Sequence, residues 1–239
     1  MGRNFIETQN LAVAYNGKTA LKPTTLEIKS GEIVALMGRN GAGKSSFIKA
    51  LLDVVPYQGK VVKRFVKIGY IPQDANDLLY HQSVKDECDQ TDRDNSLRSG
   101  TTATLLMQLA PTVNQKSHPR DLSEGQRLAL VLALVLAPKP DLLILDEPTR
   151  GLDYESKALL TKLLTESANS GAAVLIATHD VELVAELATR ILILAEGELV
   201  SDGSTMDVLL ASPAFAPQVT KVMAPRKWLT IADVLKALE

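Results

Sequence analysis

The sequence predicts an α/β fold, and three observations carry that expectation. Short apolar runs recur at Ile33–Met37, Leu142–Leu145, Ala173–Ala177 and Arg190–Ala195. Runs of this kind are what strands look like when both faces of a mostly parallel sheet are covered. Helix-like stretches separate them, as alternating elements of an α/β layer require. The first run stops at a glycine-rich turn, Gly38-Arg39-Asn40-Gly41-Ala42-Gly43-Lys44-Ser45, and a helix-like stretch, Phe47–Leu52, follows it. Strand, glycine turn and helix in that order are the context of a phosphate-binding loop.

The remaining elements are read in chain order. Phe5–Ala14 and Thr24–Lys29 alternate polar and apolar residues, which predicts a small antiparallel sheet, half exposed. Between Gln73 and Asp121 the pattern turns polar, with a short helical piece at Thr104–Ala110 and punctuation at Pro111 and Pro119. This reads as an inserted α-helical subdomain. Leu128–Ala137 is the most apolar run, but it is only about half the length a membrane span needs, so it predicts a buried helix. After Gly203 two helix candidates remain, and Thr230 with Asp233 predicts a capping box that opens the last one. The expected organisation is one domain over 1–239. Its core covers 1–73 and 141–203, the helical subdomain 74–140 and a C-terminal extension 204–239.

Composition narrows the function classes. The chain has 239 residues, 46% of them apolar, and 26 Lys and Arg against 28 Asp and Glu. A net charge of -2 offers no electrostatic case for nucleic acid as a partner. The one cysteine, Cys88, cannot form an intrachain disulfide, which points to a reducing compartment. Met1 to Asn10 has no signal-peptide core, and no run is long enough to span a bilayer. A role at a membrane would therefore run through a partner.

The phosphate loop has a direct physical logic. Its glycines let successive backbone N–H groups turn inward toward phosphate oxygens, and the helix N-terminus adds partial positive charge. Lys44 is placed to reach the β and γ phosphates, and the Ser45 hydroxyl to bind Mg²⁺. The apolar run at Leu142 ends in two carboxylates, Asp146 and Glu147. Such a pair suits one acid for Mg²⁺ and one to orient the attacking water. Guanine specificity would need Asn-Lys-x-Asp, and the nearest string, Asn114-Gln115-Lys116-Ser117, does not supply it.

Further pieces follow in a fixed order: Gln73 after Gly69-Tyr70-Ile71-Pro72, Leu122-Ser123-Glu124-Gly125-Gln126-Arg127, Gly151-Leu152-Asp153, and His179 after the run Ala173–Ala177. With these the whole chain resembles the ATP-binding-cassette ATPases. The resemblance implies ATP and Mg²⁺ as ligands. It assigns Gly38 to Ser46, including Ser46 itself, to the phosphate loop, Tyr15 to stacking on adenine, and Gln73 to the Q-loop. It makes Ser45, Gln73 and Asp146 the Mg²⁺ set, with Glu147, His179 and Lys44 catalytic. Ser123, Glu124, Gly125 and Gln126 become the signature that meets a nucleotide held by another cassette, and Asp153 the D-loop acid. The signature departs from the common form at Glu124, where the family usually has glycine, and this places a negative charge near a phosphate site.

Asp146-Glu147-Pro148-Thr149-Arg150-Gly151-Leu152-Asp153-Tyr154, the segment Gln73 to Tyr80 and the tail Ser212 to Pro217 look like the ATPases of energy-coupling-factor transporters. That implies import of a vitamin, vitamin precursor or metal ion, driven by ATP hydrolysis. The implied partners are a transmembrane coupling subunit, a substrate-binding membrane subunit and a second cassette, as homo- or heterodimer. The implied location is cytoplasmic, peripheral on the inner face of the membrane. A soluble, non-transport ATPase of the same family is the alternative. One or two of the acids after Gln73 (Asp74, Asp77, Asp86 and Glu87) are expected to pair with an arginine of the membrane partner, with Leu79 and Tyr80 packed around it; the alternative is a solvated helix face with a few core leucines.

Overall fold

The computed structural model describes residues 3–64 and 67–238. Its backbone divides into two compact units, residues 1–65 with 161–239, and residues 66–160. Across them the class is α/β, with a mixed sheet, a small antiparallel sheet and helices.

The first unit opens with β1 (Asn4–Tyr15) and β2 (Lys18–Lys29), paired antiparallel. Asn16 and Gly17, both at positive φ, join them. This two-residue Asn-Gly turn matches the right-handed twist of the strands. β3 (Ile33–Met37) is buried at every position, as its unbroken apolar run requires. It leads through the glycine turn into α1 (Lys44–Leu51), which begins three residues earlier than the apolar periodicity suggests because the loop lysine and serines already lie in its first turn.

β4 (Gln58–Lys63) pairs with the other edge of β1. None of its residues is fully buried, so no apolar alternation announces it in the sequence. β7 (Ala173–Ala177), β3 and β8 (Arg190–Ala195) run parallel, with β3 central, and β9 (Glu198–Ser204) closes that edge antiparallel to β8.

One face of this sheet carries Ala35, Met37, Ile191 and Ile193. They pack against Val184 of α6 (Val181–Leu187), Val208 and Leu209 of α7 (Thr205–Ala211), and Leu229. Leu229 thus ties the C-terminal segment to the sheet. Two short helices complete that segment, α8 (Gln218–Met223) and α9 (Ile231–Lys236). Thr230 and Asp233 form the capping box that opens α9.

The second unit contains the parallel pair β5 (Ile68–Ile71) and β6 (Leu142–Asp146). Its helices are α2 (Val84–Asp94), α3 (Thr101–Leu109) and α4 (Glu124–Leu136). Val84 and Cys88, Leu106, and Leu130, Ala133 and Leu134 join these helices in one apolar cluster. A Cβ on Gly69 would lie 2.7 Å from Val135 and 2.9 Å from Leu143, so glycine lets β5 approach α4 closely. α5 (Tyr154–Asn169) contains the boundary between the two units. Among the described residues no helix is long and apolar enough to cross a membrane.

Candidate functional site

The first unit holds the phosphate-loop residues. Gly38, at φ +150°, would place a Cβ 2.4 Å from the Leu194 carbonyl oxygen. Gly43, at φ +107°, would place one 2.6 Å from the Ala20 carbonyl oxygen. Both positions therefore exclude side chains on two counts, conformation and space. Gly43 is the N-cap of α1 and makes no side-chain cap hydrogen bond. Lys44 is buried, and its Nζ donates to the Gly38 carbonyl at 2.8 Å, which holds the ammonium within its own loop. Arg39, Asn40, Gly41 and Ser45 are exposed, Ser46 is half-buried, and Ala42 is buried.

Tyr15 ends β1 beside the Asn16-Gly17 turn and is 40% exposed, so its ring has an open face. His179 is exposed and sits between two anchored neighbours. The Asp180 N–H donates to Thr178 Oγ1 at 3.0 Å, and Asp180 Oδ1 accepts from the Leu183 N–H at 3.1 Å, capping α6.

The second unit holds the other residues singled out in the sequence. Asp146 is the last residue of β6 and is buried. Glu147 follows it at φ +51°. A left-handed glutamate is uncommon, and strain of this kind collects where a side chain must be aimed. Gln73 lies exposed beyond β5. Asp74 accepts from the Asn76 N–H at 2.9 Å. That bond, the Asn76 side chain, and the Arg127 and Arg150 charges hold its carboxyl below the ordinary aspartate value. Asp153 Oδ1 accepts from the Ser156 N–H at 2.8 Å at the start of α5.

The signature residues open α4. Ser123 is its N-cap: Ser123 Oγ accepts from the Gln126 N–H at 3.3 Å, while Gln126 Oε1 accepts from the Ser123 N–H at 3.1 Å. A Cβ on Gly125 would lie 3.1 Å from Ser156 Oγ. Glu124 is exposed, and its Oε1 accepts from Arg127 Nη1 at 3.0 Å. The charge at Glu124 is thus already matched inside this chain. An arginine three residues after the glutamate was the available signal for that pairing.

One expectation is corrected. Glu87 is not an open surface acid. It is buried, and its Oε1 accepts from the His81 N–H at 2.6 Å. The carboxylate anchors the chain between β5 and α2, and Leu79 of the same stretch packs on the helical cluster. Asp77 and Tyr80 are exposed.

The model of the ABC transporter family matches residues 21–150, more than half of the chain. The chain belongs to the ABC transporter family. A Streptomyces coelicolor protein described as an ABC transporter ATP-binding protein is 49% identical over 245 residues, covering 97% of this chain and 44% of the relative. The chain therefore spans less than half the length of that ABC relative.

An energy-coupling factor transporter ATP-binding protein, EcfA, of Methanothermobacter thermautotrophicus is 29% identical, covering 85% of this chain and 72% of that protein. Among solved ABC structures, cbiO1 of Clostridium perfringens, described as part of the ABC transporter complex cbiONQ, superposes with a TM-score of 0.78 at 25% identity. The match covers 98% of this chain and all of that one. An ATP-binding subunit of an ABC transporter superposes with a TM-score of 0.79 at 21% identity, covering 91% and 97% of the two chains, which speaks for the fold.

Proposed function

We propose that this chain binds and hydrolyses ATP to power a membrane importer of the energy-coupling-factor type. The observation that carries the reading is the phosphate loop. Its backbone leaves no room for a Cβ at Gly38 or Gly43, its lysine is buried, and its helix carries no side-chain cap. A glycine loop that leads into a helix N-terminus, with one buried ammonium, suits a polyphosphate. The name of the EcfA relative supports the energy-coupling-factor type, and the family resemblance implies import of a vitamin, vitamin precursor or metal ion.

In this reading the loop N–H groups and Lys44 hold the β and γ phosphates, and Tyr15 offers its ring to adenine. Ser45 and the buried Asp146, with Gln73, are the groups that would hold Mg²⁺. A single carboxylate and a hydroxyl suit that ion, which keeps its waters and shares the phosphates rather than needing an all-protein cage. Bound there, the ion would offset charge on the transferred phosphoryl group. Glu147 accepts a hydrogen bond from the attacking water and orients it. His179 donates toward the γ-phosphate. Ser123 and Gly125 serve a nucleotide held by a second cassette, so the working unit is a dimer. A transmembrane coupling subunit and a substrate-binding membrane subunit complete the importer, with the cassettes on the inner face of the membrane.

The test is Glu147→Gln beside Lys44→Ala. Glu147→Gln should bind ATP like the parent and lose at least about 100-fold in turnover, the scale of a missing general base. Lys44→Ala should lose nucleotide affinity itself. Parent turnover in Glu147→Gln, or parent ATP affinity in Lys44→Ala, refutes the assignment. Co-purification with a transmembrane partner in detergent tests the importer class.

A further inference from the structure

The start of α4 carries an arrangement that the proposed function leaves unexplained. The Arg127 side chain is 17% exposed, whereas that of Glu124 is 68% exposed. The Arg127 guanidinium donates through Nη1 to Glu124 Oε1 at 3.0 Å. Through Nη2 it donates to the Leu122 carbonyl at 3.0 Å and to the Arg120 carbonyl at 3.4 Å. One planar fork therefore grips the backbone just before Ser123 and the carboxylate just after it. Lysine offers a single point charge and cannot hold both partners in that geometry.

The energetics separate two roles for this grip. As a helix-surface ion pair three residues apart, Glu124–Arg127 has only a small effect on folding. Its partner at 68% exposure is well solvated, so the pair contributes little to folding. The same charges interact far more strongly once water is displaced from around them. A carboxylate at the first position of α4 also opposes an incoming anion, cancelling part of the positive helix terminus. Arg127 supplies the compensating charge and keeps the carboxylate held back along the helix.

We propose that Arg127 is a positioning residue for nucleotide engagement: it neutralises Glu124 and fixes the Leu122–Ser123 backbone so that the α4 terminus can accept the γ-phosphate of an ATP bound on another cassette. The inference rests on reading Ser123 and Gly125 as an ATP-contacting segment. Glu124 is then tolerable because Arg127 stands three residues later.

The test compares Arg127→Ala in two backgrounds, the parent chain and Glu124→Gly, reading ATP turnover and thermal unfolding, with the membrane partners present if the chain alone is silent. In the parent background Arg127→Ala should lower turnover roughly tenfold, because the unpaired carboxylate is desolvated against a phosphate. The melting temperature should fall by a similar amount in both backgrounds, since the Leu122 and Arg120 carbonyls lose the same donor in each. In the Glu124→Gly background the same change should cost no more than about threefold, since only the backbone grip is lost.

Equal losses in both backgrounds, or no loss in either, would overturn the proposal. If Arg127→Ala does not fold, Arg127→Lys is used, with the loss again relieved by Glu124→Gly. An unrelieved loss, or none, overturns the proposal in that form as well. A parent chain whose turnover ignores Glu147→Gln instead fails the underlying ATPase reading, so the two failures are distinct.

Discussion

The backbone N–H of Gly197 donates to the Ala42 carbonyl at 3.1 Å, and the Gly197 carbonyl accepts from the Lys22 N–H at 2.7 Å. Gly197 sits at φ +77°, in the turn between β8 and β9, with space for a Cβ limited to 3.0 Å from the Ala20 carbonyl oxygen. The phosphate loop is thus walled by β2 on one side and by this turn on the other, with backbone atoms making the nearest contacts. Ala20 blocks a side chain at Gly43, Leu194 blocks one at Gly38, and Gly197 holds the carbonyl of Ala42 between them.

That wall makes glycine substitutions unequal. A Cβ at Gly43 meets backbone at 2.6 Å, whereas one at Gly41 meets nothing within 4 Å. Both residues have positive φ, so both variants carry conformational strain of about 1 kcal/mol or more. Gly43→Ala adds a steric clash that the backbone has to relieve by moving. ATP affinity should fall at least about tenfold further in Gly43→Ala than in Gly41→Ala. Equilibrium titration with ATP checks the ranking, and equal affinities would contradict the wall.

Asp92 provides a prediction about stability and pH. The N-cap of α3 is Gly100, which has no side chain to cap with. Asp92 of α2 substitutes for it. Its oxygens accept from the N–H groups of Gly100 at 2.7 Å, Thr101 at 3.0 Å and Thr102 at 3.0 Å, and from the Thr102 hydroxyl at 2.6 Å. Burial pushes this carboxyl up, but the bonds from Thr102, Gly100 and Thr101 outweigh it, and the net shift is downward from 3.8.

A depressed folded-state value means that the contribution is fully present above the unfolded value and is lost as pH falls through the folded one. Asp92→Ala should cost about 2 kcal/mol or more at neutral pH, since it strands several donors. The difference between parent and variant should shrink below about pH 4. Denaturant melts across pH 3 to 7 measure it, and a difference that stays constant across that range would contradict the assigned role.

Cys88 should be chemically silent in the folded protein. It is fully buried among Val84, Leu106 and Leu130. Burial first, and then the charges of Asp92, Asp89 and Glu87, push its thiol up to about 12. Thiolate is the reacting form, so almost none is present at pH 8. A disulfide reagent should label no thiol in the native protein and one per chain in denaturant. Rapid labelling of the native state would show that the helical cluster opens easily.

The sequence by itself determined whatever depends on residues a few positions apart. Unbroken apolar runs specified β3, β6, β7 and β8, because a strand covered on both faces has no polar positions to alternate. Thr230 with Asp233 announced the start of α9, since a capping box closes within one turn. The glycine spacing from Gly38 to Gly43 marked the phosphate loop. β4 and β9 escaped notice because edge strands keep exposed, charged side chains. β5 is only four residues long and contains a glycine.

Tertiary structure decided the rest. It turned Glu87 from an expected surface acid into the buried anchor of the His81 N–H. It gave α3 a cap from Asp92, eight residues ahead of Gly100. It closed the phosphate loop with Ala20, Leu194 and Gly197, all remote in sequence from the loop they shape. A buried carboxylate needs donors that the fold must deliver, and a backbone wall needs two distant segments in register. Residue identity alone records neither.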